Sequence, residues 1–231
     1  GPSMNRSETE YQLELMKNAG VGGVMTFYTY PISVDDPSKD INNEQFLSDP
    51  MLDSFRYAGE YSVKRGLRFG VAGGTGWPYG GPSVSLNDAA KRIRKITLKS
   101  ASGSFQIPKL KPEERVVALF DGIKSISESE LKLLPAEARP YVIVIGPTYM
   151  KVKRASLGAE GYVIDHYNLT ALNHYLENVI SKLIKASPKG LSSIFCDSLE
   201  VYNSNWTDDL PSEFQKRRKY DILSRLPELF D

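Results

Sequence analysis

One alternation limits what this chain can fold into more than any other feature. Segments with helical spacing of apolar residues trade places with short apolar runs, and the pattern breaks once, between Ile96 and Leu157. Ser7-Glu8-Thr9-Glu10 reads as a capping box that opens a helix carrying Leu13, Met16 and Ala19 inward. Gly20 suits the left-handed position that closes it. "GGVMTFYTY" follows as a buried strand. "SDPMLDSFRYAGEYSVKRG" reads as a second helix, with Pro50 in its first turn and Gly66 at its end. "LRFGVAGG" is then a strand, and "SVSLNDAAKRIRKI" a third helix with Ser85 and Asp88 as a capping pair. After the interruption the order resumes: strand "GYVIDHY", helix "LTALNHYLENVISKLIKA", strand "SSIFCDS", helix "PSEFQKRRKYD". Repeated β-α units of this kind imply a parallel sheet covered by helices.

The interruption has another character. "KITLK", "SFQIP", "RVVALF", "YVIVI" and "MKVKRAS" are short alternating runs between Gly, Pro and charged turns. They read as an inserted antiparallel β-subdomain. The expected division is 1–95 and 158–231 for the β/α units and 96–157 for the insert.

Several function classes are disfavoured at this point. Formal net charge is +1, so no electrostatic pull toward nucleic acid or an anionic membrane is expected. The basic run Lys216–Lys219 falls in an amphipathic helix and reads as its solvated face. Cys196 is the sole cysteine, which excludes an internal disulfide and a cysteine-based zinc site. It reads as a buried strand position, since a catalytic thiolate would need a basic partner and the histidines are only His166 and His174. No apolar run reaches the roughly 20 residues of a membrane span, and no signal peptide is visible. The leading "GPSM" reads as the remnant of a cleaved tag.

The stretch "GVAGGTGWPYGGP", Gly70 to Pro82, sits at the end of a strand, where glycines often let backbone approach a ligand. It fails as a dinucleotide fingerprint, because Tyr79 stands where the third glycine belongs. It fails as a phosphate loop, because Pro82 stands where lysine belongs. Two readings stay open: a rigid loop presenting Trp77 and Tyr79 to the apolar face of a sugar, or a tight turn packing Trp77 inward. The other strand ends also carry polar and aromatic residues. Tyr28 and Tyr30 follow the first strand, and Asp165, His166 and Asn168 the third. Asp197, Glu200, Tyr202, Asn203, Asn205 and Trp206 follow the fourth. In β/α barrels the active site lies at those ends.

Together these stretches resemble glycoside hydrolase family 106, the α-L-rhamnosidases and their relatives. The resemblance rests on "LELMKNAGVGGVMTFYTYP", "RGLRFGVAGGTGWPYGGP", "VKRASLGAEGYVIDHYN" and "DSLEVYNSNWTDDLPSEFQKRRKYDILSRLPEL". The last is similar to a family region that begins "DSWE", with Leu199 here in place of Trp. The resemblance implies a TIM-type (β/α) barrel, inverting hydrolysis and calcium near the sugar. A full barrel needs roughly 250 residues, so the expectation is a partial barrel of about four parallel strands with the antiparallel insert. Its open edges would favour a homodimer. Glu200 matches the family glutamate and is the expected general acid, the alternative being a surface cap or salt bridge. Trp77, Tyr79, Asp165, His166, Asp197, Asn203 and Trp206 are the expected substrate-binding residues. The partner would be a rhamnose-containing glycan, and the location periplasmic or extracellular. A partial barrel is expected to be inactive alone; the alternative is a non-catalytic carbohydrate-binding or assembly module.

Overall fold

The computed structural model describes residues 2–101, 103–187 and 189–230; Gly1, first residue of the expected tag remnant, lies outside them. The chain divides into two compact units, one of residues 1–88 and 149–201, the other of 89–148 and 202–231.

The first unit begins with α1 (Arg6–Asn18), β1 (Gly23–Tyr28), α2 (Asp49–Lys64), β2 (Arg68–Thr75) and the two-residue β3 (Gly80–Gly81). The second then supplies β4 (Lys91–Thr97), β5 (Ser100–Ala101), β6 (Ser104–Phe105), β7 (Arg115–Asp121), β8 (Lys124–Ile126), α3 (Glu128–Leu131) and β9 (Pro140–Pro147). The chain resumes the first unit with β10 (Tyr162–Val163), α4 (Leu169–Tyr175), α5 (Ser181–Ala186) and β11 (Leu191–Phe195). A π-helical turn, Leu176–Ile180, joins α4 to α5. The second unit is completed by α6 (Leu210–Arg218) and a 3-10 segment, Ile222–Leu229.

In the first unit, β1, β2 and β11 form a three-stranded parallel sheet with β2 at its centre. Central placement explains why Phe69 to Thr75 are all buried. The helix α2 covers the sheet with Met51, Phe55, Ala58 and Ser62, a spacing of four, three and four that keeps one stripe inward. Phe55 meets Phe69 of β2 at a ring separation of 5.4 Å. Ser48 caps α2 by accepting from Met51 N, and Pro50 occupies its first turn. The helix α1 is capped two residues earlier than its sequence implies. Asn5, not Ser7, accepts from Glu8 N, at 3.0 Å. It docks on α2 through Tyr61, whose hydroxyl donates to Glu14 at 2.7 Å.

The second unit holds a four-stranded sheet in the order β4-β9-β7-β8, antiparallel throughout. The strand β9 is buried along its whole length. One face packs Ile93, Phe120, Tyr141, Ile143 and Ile145 against Trp206, Ile222 and Leu226.

Three expectations are corrected. Among the described residues the sheets are mostly antiparallel and no barrel forms: the parallel sheet has three strands rather than about four. The "GYVIDHY" segment does not join it. Only Tyr162 and Val163 are extended, and they pair antiparallel with Gly81 and Gly80. Glycines decide this, because a Cβ at Gly80 would overlap the Tyr162 carbonyl and one at Gly161 the Gly81 carbonyl. The third helix is also absent. Ser85 and Asp88 do form a capping pair, with Asp88 N donating to Ser85 Oγ at 3.2 Å. It closes only a turn, and Lys91 to Thr97 continue as a strand paired residue for residue with β9. Lys91 and Ile93 are buried and Arg92 less so, a period of two that pairing with a neighbouring strand imposes over helical preference. Among the described residues no helix is long and apolar enough to cross a membrane.

Candidate functional site

Most of the expected site residues lie in the first unit, near the C-terminal ends of β1, β2 and β11. The glycine stretch there is a packing device. Tyr79 turns inward and lies against Gly73 and Gly74, where any Cβ would meet its ring. Its ring stacks on Tyr175 at 5.0 Å, and its hydroxyl donates to the Phe195 carbonyl at 2.9 Å. Burial raises the phenol pKa further above its ordinary value, and Cys196 adds to the shift. Tyr79 thus ties the loop to the end of β11.

Trp77 faces elsewhere. It pairs with Lys153 as an isolated antiparallel bridge: Trp77 N donates to Lys153 O at 3.1 Å, and Lys153 N to Trp77 O at 2.8 Å. Gly76, at φ +55°, makes the approach possible. A Cβ there would overlap the Lys153 carbonyl oxygen and stand 2.8 Å from that of Arg154. The Arg154 guanidinium lies 5.5 Å from the centre of the Trp77 ring and 5.6 Å from that of Tyr30. Tyr30 N donates to Arg154 O at 3.1 Å, so the loops after β1 and β2 are both fastened to the Lys153–Arg154 segment.

Glu200 comes to the same segment. Its Oε2 lies 3.5 Å from Lys153 Nζ, and its side chain is 52% exposed. Asp197 lies just past β11 and accepts from Ser198 N at 2.7 Å. Cys196 is exposed beside it, not in a buried strand position, because β11 ends at Phe195. Partial burial, with Asp197 nearby and Tyr79 opposing, raises the thiol pKa, which disfavours a thiolate.

Asp165 is fully buried and accepts from Tyr167 N at 3.0 Å, holding the turn before α4. The cap of α4 itself is Asn168, which accepts from Thr170 N and Ala171 N. Ile164 N donates to Tyr79 O at 3.0 Å, which places this turn beside the glycine loop. His166 is half-buried, and neither ring nitrogen has a hydrogen-bond partner among the described residues. Burial lowers its pKa, partly offset by the Ile164 backbone.

Asn203 and Trp206 belong to the second unit. Asn203 is exposed in a left-handed turn, φ +61°. Trp206, 2% exposed, is a core residue on the sheet there. Beside it, Asn205 Oδ1 accepts from Ile93 N at 2.8 Å, mimicking a strand neighbour. Among the described residues no group of three or more His, Cys, Asp or Glu side chains could hold a metal ion. Asp165, Asp197 and Glu200 do not form such a group.

The structure thus brings together Tyr30, Trp77, Lys153, Arg154 and Glu200: aromatic faces, two cations and a carboxylate at one end of a parallel sheet. Lys153 and Arg154 are the members that the sequence reading overlooked. Their signal was "VKRAS", two adjacent cations just ahead of a buried serine, read as one of the insert's strands.

Residues 130–230 match the family model described as alpha-L-rhamnosidase, glycoside hydrolase family 106. The chain is 31% identical over 87 residues to a protein of Formosa agariphila named "Putative beta-glucuronidase"; the match covers 36% of this chain and 8% of that one. A solved rhamnosidase from Novosphingobium sp. PP1Y matches over 97% of this chain at 15% identity and a TM-score of 0.66, a likeness of fold. This chain spans 40% of that rhamnosidase. The resemblance to glycoside hydrolase family 106 read from the sequence is borne out by the family match over residues 130–230.

Proposed function

We propose that the first unit carries a site for glycoside hydrolysis of the α-L-rhamnosidase kind, acting on a rhamnose-containing glycan. One observation carries the reading: Trp77 pairs through its backbone with Lys153, whose ammonium lies 3.5 Å from the Glu200 carboxyl. Glu200 is the general acid that protonates the departing glycosidic oxygen. In an inverting reaction a second carboxylate, roughly 6.5–9.5 Å away, activates water on the opposite face of the sugar. Lys153 is the cation beside the carboxyl, its Nζ 3.5 Å from Glu200 Oε2.

The test is hydrolysis of a rhamnosyl disaccharide and of aryl α-L-rhamnosides with graded leaving groups. Glu200→Gln should abolish turnover of the disaccharide and spare the best aryl leaving groups, which need no protonation. An equal loss on all substrates, or none, removes Glu200 from the acid role. A second reading is favoured by the exposure of Glu200 and its pairing with Lys153. In it the site holds sugar without cleaving it, and the chain alone is inactive. Saturable sugar binding without turnover by the unaltered chain would select that reading.

A further inference from the structure

The cation between two aromatic rings is not explained by a neutral sugar. Arg154 has no carboxylate partner among the described residues, whereas Lys153 beside it pairs with Glu200. Its backbone is in the left-handed region, φ +53°, which non-glycine residues seldom adopt. The strained position is held from both sides, by Tyr30 N on the Arg154 carbonyl and by the Trp77–Lys153 bridge. Gly76 is the residue that lets the two segments close. An arginine near the faces of Tyr30 and Trp77 keeps its N–H edges free for an anion lying in the guanidinium plane. Exposure of Arg154 leaves those edges open to a ligand.

We propose that Arg154 is a specificity-determining residue that recognises the carboxylate of a uronic acid adjoining the sugar on Trp77. The glycan taken is therefore acidic. A planar carboxylate can accept two parallel N–H bonds from the guanidinium, while Tyr30 and Trp77 hold its plane. The inference rests on the glycan-binding reading of the same loops, and its test separates the two.

The experiment is calorimetric titration of the chain with a rhamnosyl-glucuronic acid disaccharide and with its carboxyl-reduced counterpart. The acidic disaccharide should bind at least about ten-fold more tightly, as a charge-assisted hydrogen-bonded pair implies. The preference should shrink as salt is raised. Arg154→Gln should bring the two affinities within about two-fold of each other without changing the circular dichroism spectrum. Equal affinities in the unaltered protein, or an acidic preference that survives Arg154→Gln, would overturn the inference and leave the glycan site standing. Binding of neither disaccharide would overturn both.

Discussion

Gly76 is where the account is most exposed to measurement. Alanine there meets two obstacles. The first is conformational: φ is +55°, and an L side chain in that region costs about 1–2 kcal/mol. The second is spatial, because the new Cβ would overlap the Lys153 carbonyl. Backbone cannot rotate away as a flexible side chain does, so the bridge must open. Two backbone hydrogen bonds are then lost, at 3.1 and 2.8 Å, each contributing roughly 0.5–1.5 kcal/mol. The expected total is about 2–5 kcal/mol. Gly20→Ala is the matched control in the same unit: φ is +85°, and nothing lies within 4 Å of its Cβ position. It should cost only the conformational part, about 1–2 kcal/mol. Urea unfolding followed by circular dichroism reads both. Gly76→Ala should be the less stable by about 1–3 kcal/mol, and it should also lose the preference for the acidic disaccharide. Equal losses from the two substitutions would refute the claim that the loop is built around this contact.

Other consequences follow from burial and charge. Trp206→Ala should cost about 3–5 kcal/mol in thermal or urea unfolding, because the side chain is 2% exposed in a core cluster; a loss below about 1 kcal/mol would mean that the indole is not packed there. Burial raises the Glu114 carboxyl, but the Lys111 backbone N–H and Arg94 outweigh it and hold the pKa below the ordinary value. The stability it contributes is therefore present at neutral pH and lost as pH falls through the folded-state pKa. Glu114→Gln should flatten the acid limb of a stability–pH curve, and an unchanged limb would contradict the assignment. Among the described residues β1 and β11 pair only with β2, leaving two open sheet edges. Two copies of the chain should associate through them; light scattering should give a dimer mass at high concentration, and a monomer at every concentration would count against it.

Parts of this fold were legible because period and punctuation agreed. In α2 the stripe Met51, Phe55, Ala58 and Ser62 is bounded by Pro50 and by Gly66, at φ +73°. The strands β2 and β11 are short apolar runs, and both take their places in the parallel sheet. The helix expected over 83–96 gives way to a strand from Lys91, whose partner, β9, lies some fifty residues further on. Pairing across such a distance leaves no local trace. The barrel expectation failed for a similar reason, since glycines that seemed to await a ligand instead admit backbone and the ring of Tyr79. In the site, Trp77 and Glu200 were visible as residues at strand ends. Lys153 and Arg154 were not, because their importance comes from a bridge to Trp77 that sequence spacing does not encode.

Trp77 tests the central claim most directly. The indole is partly exposed beside Arg154, so truncation should remove a sugar contact without opening a core. Calorimetric titration with a rhamnosyl disaccharide, run beside thermal melts, separates those effects. The account predicts saturable binding to one site, weakened at least about ten-fold by Trp77→Ala with the melting temperature little changed. Binding indifferent to Trp77→Ala, or a variant that loses cooperative unfolding along with binding, would contradict it.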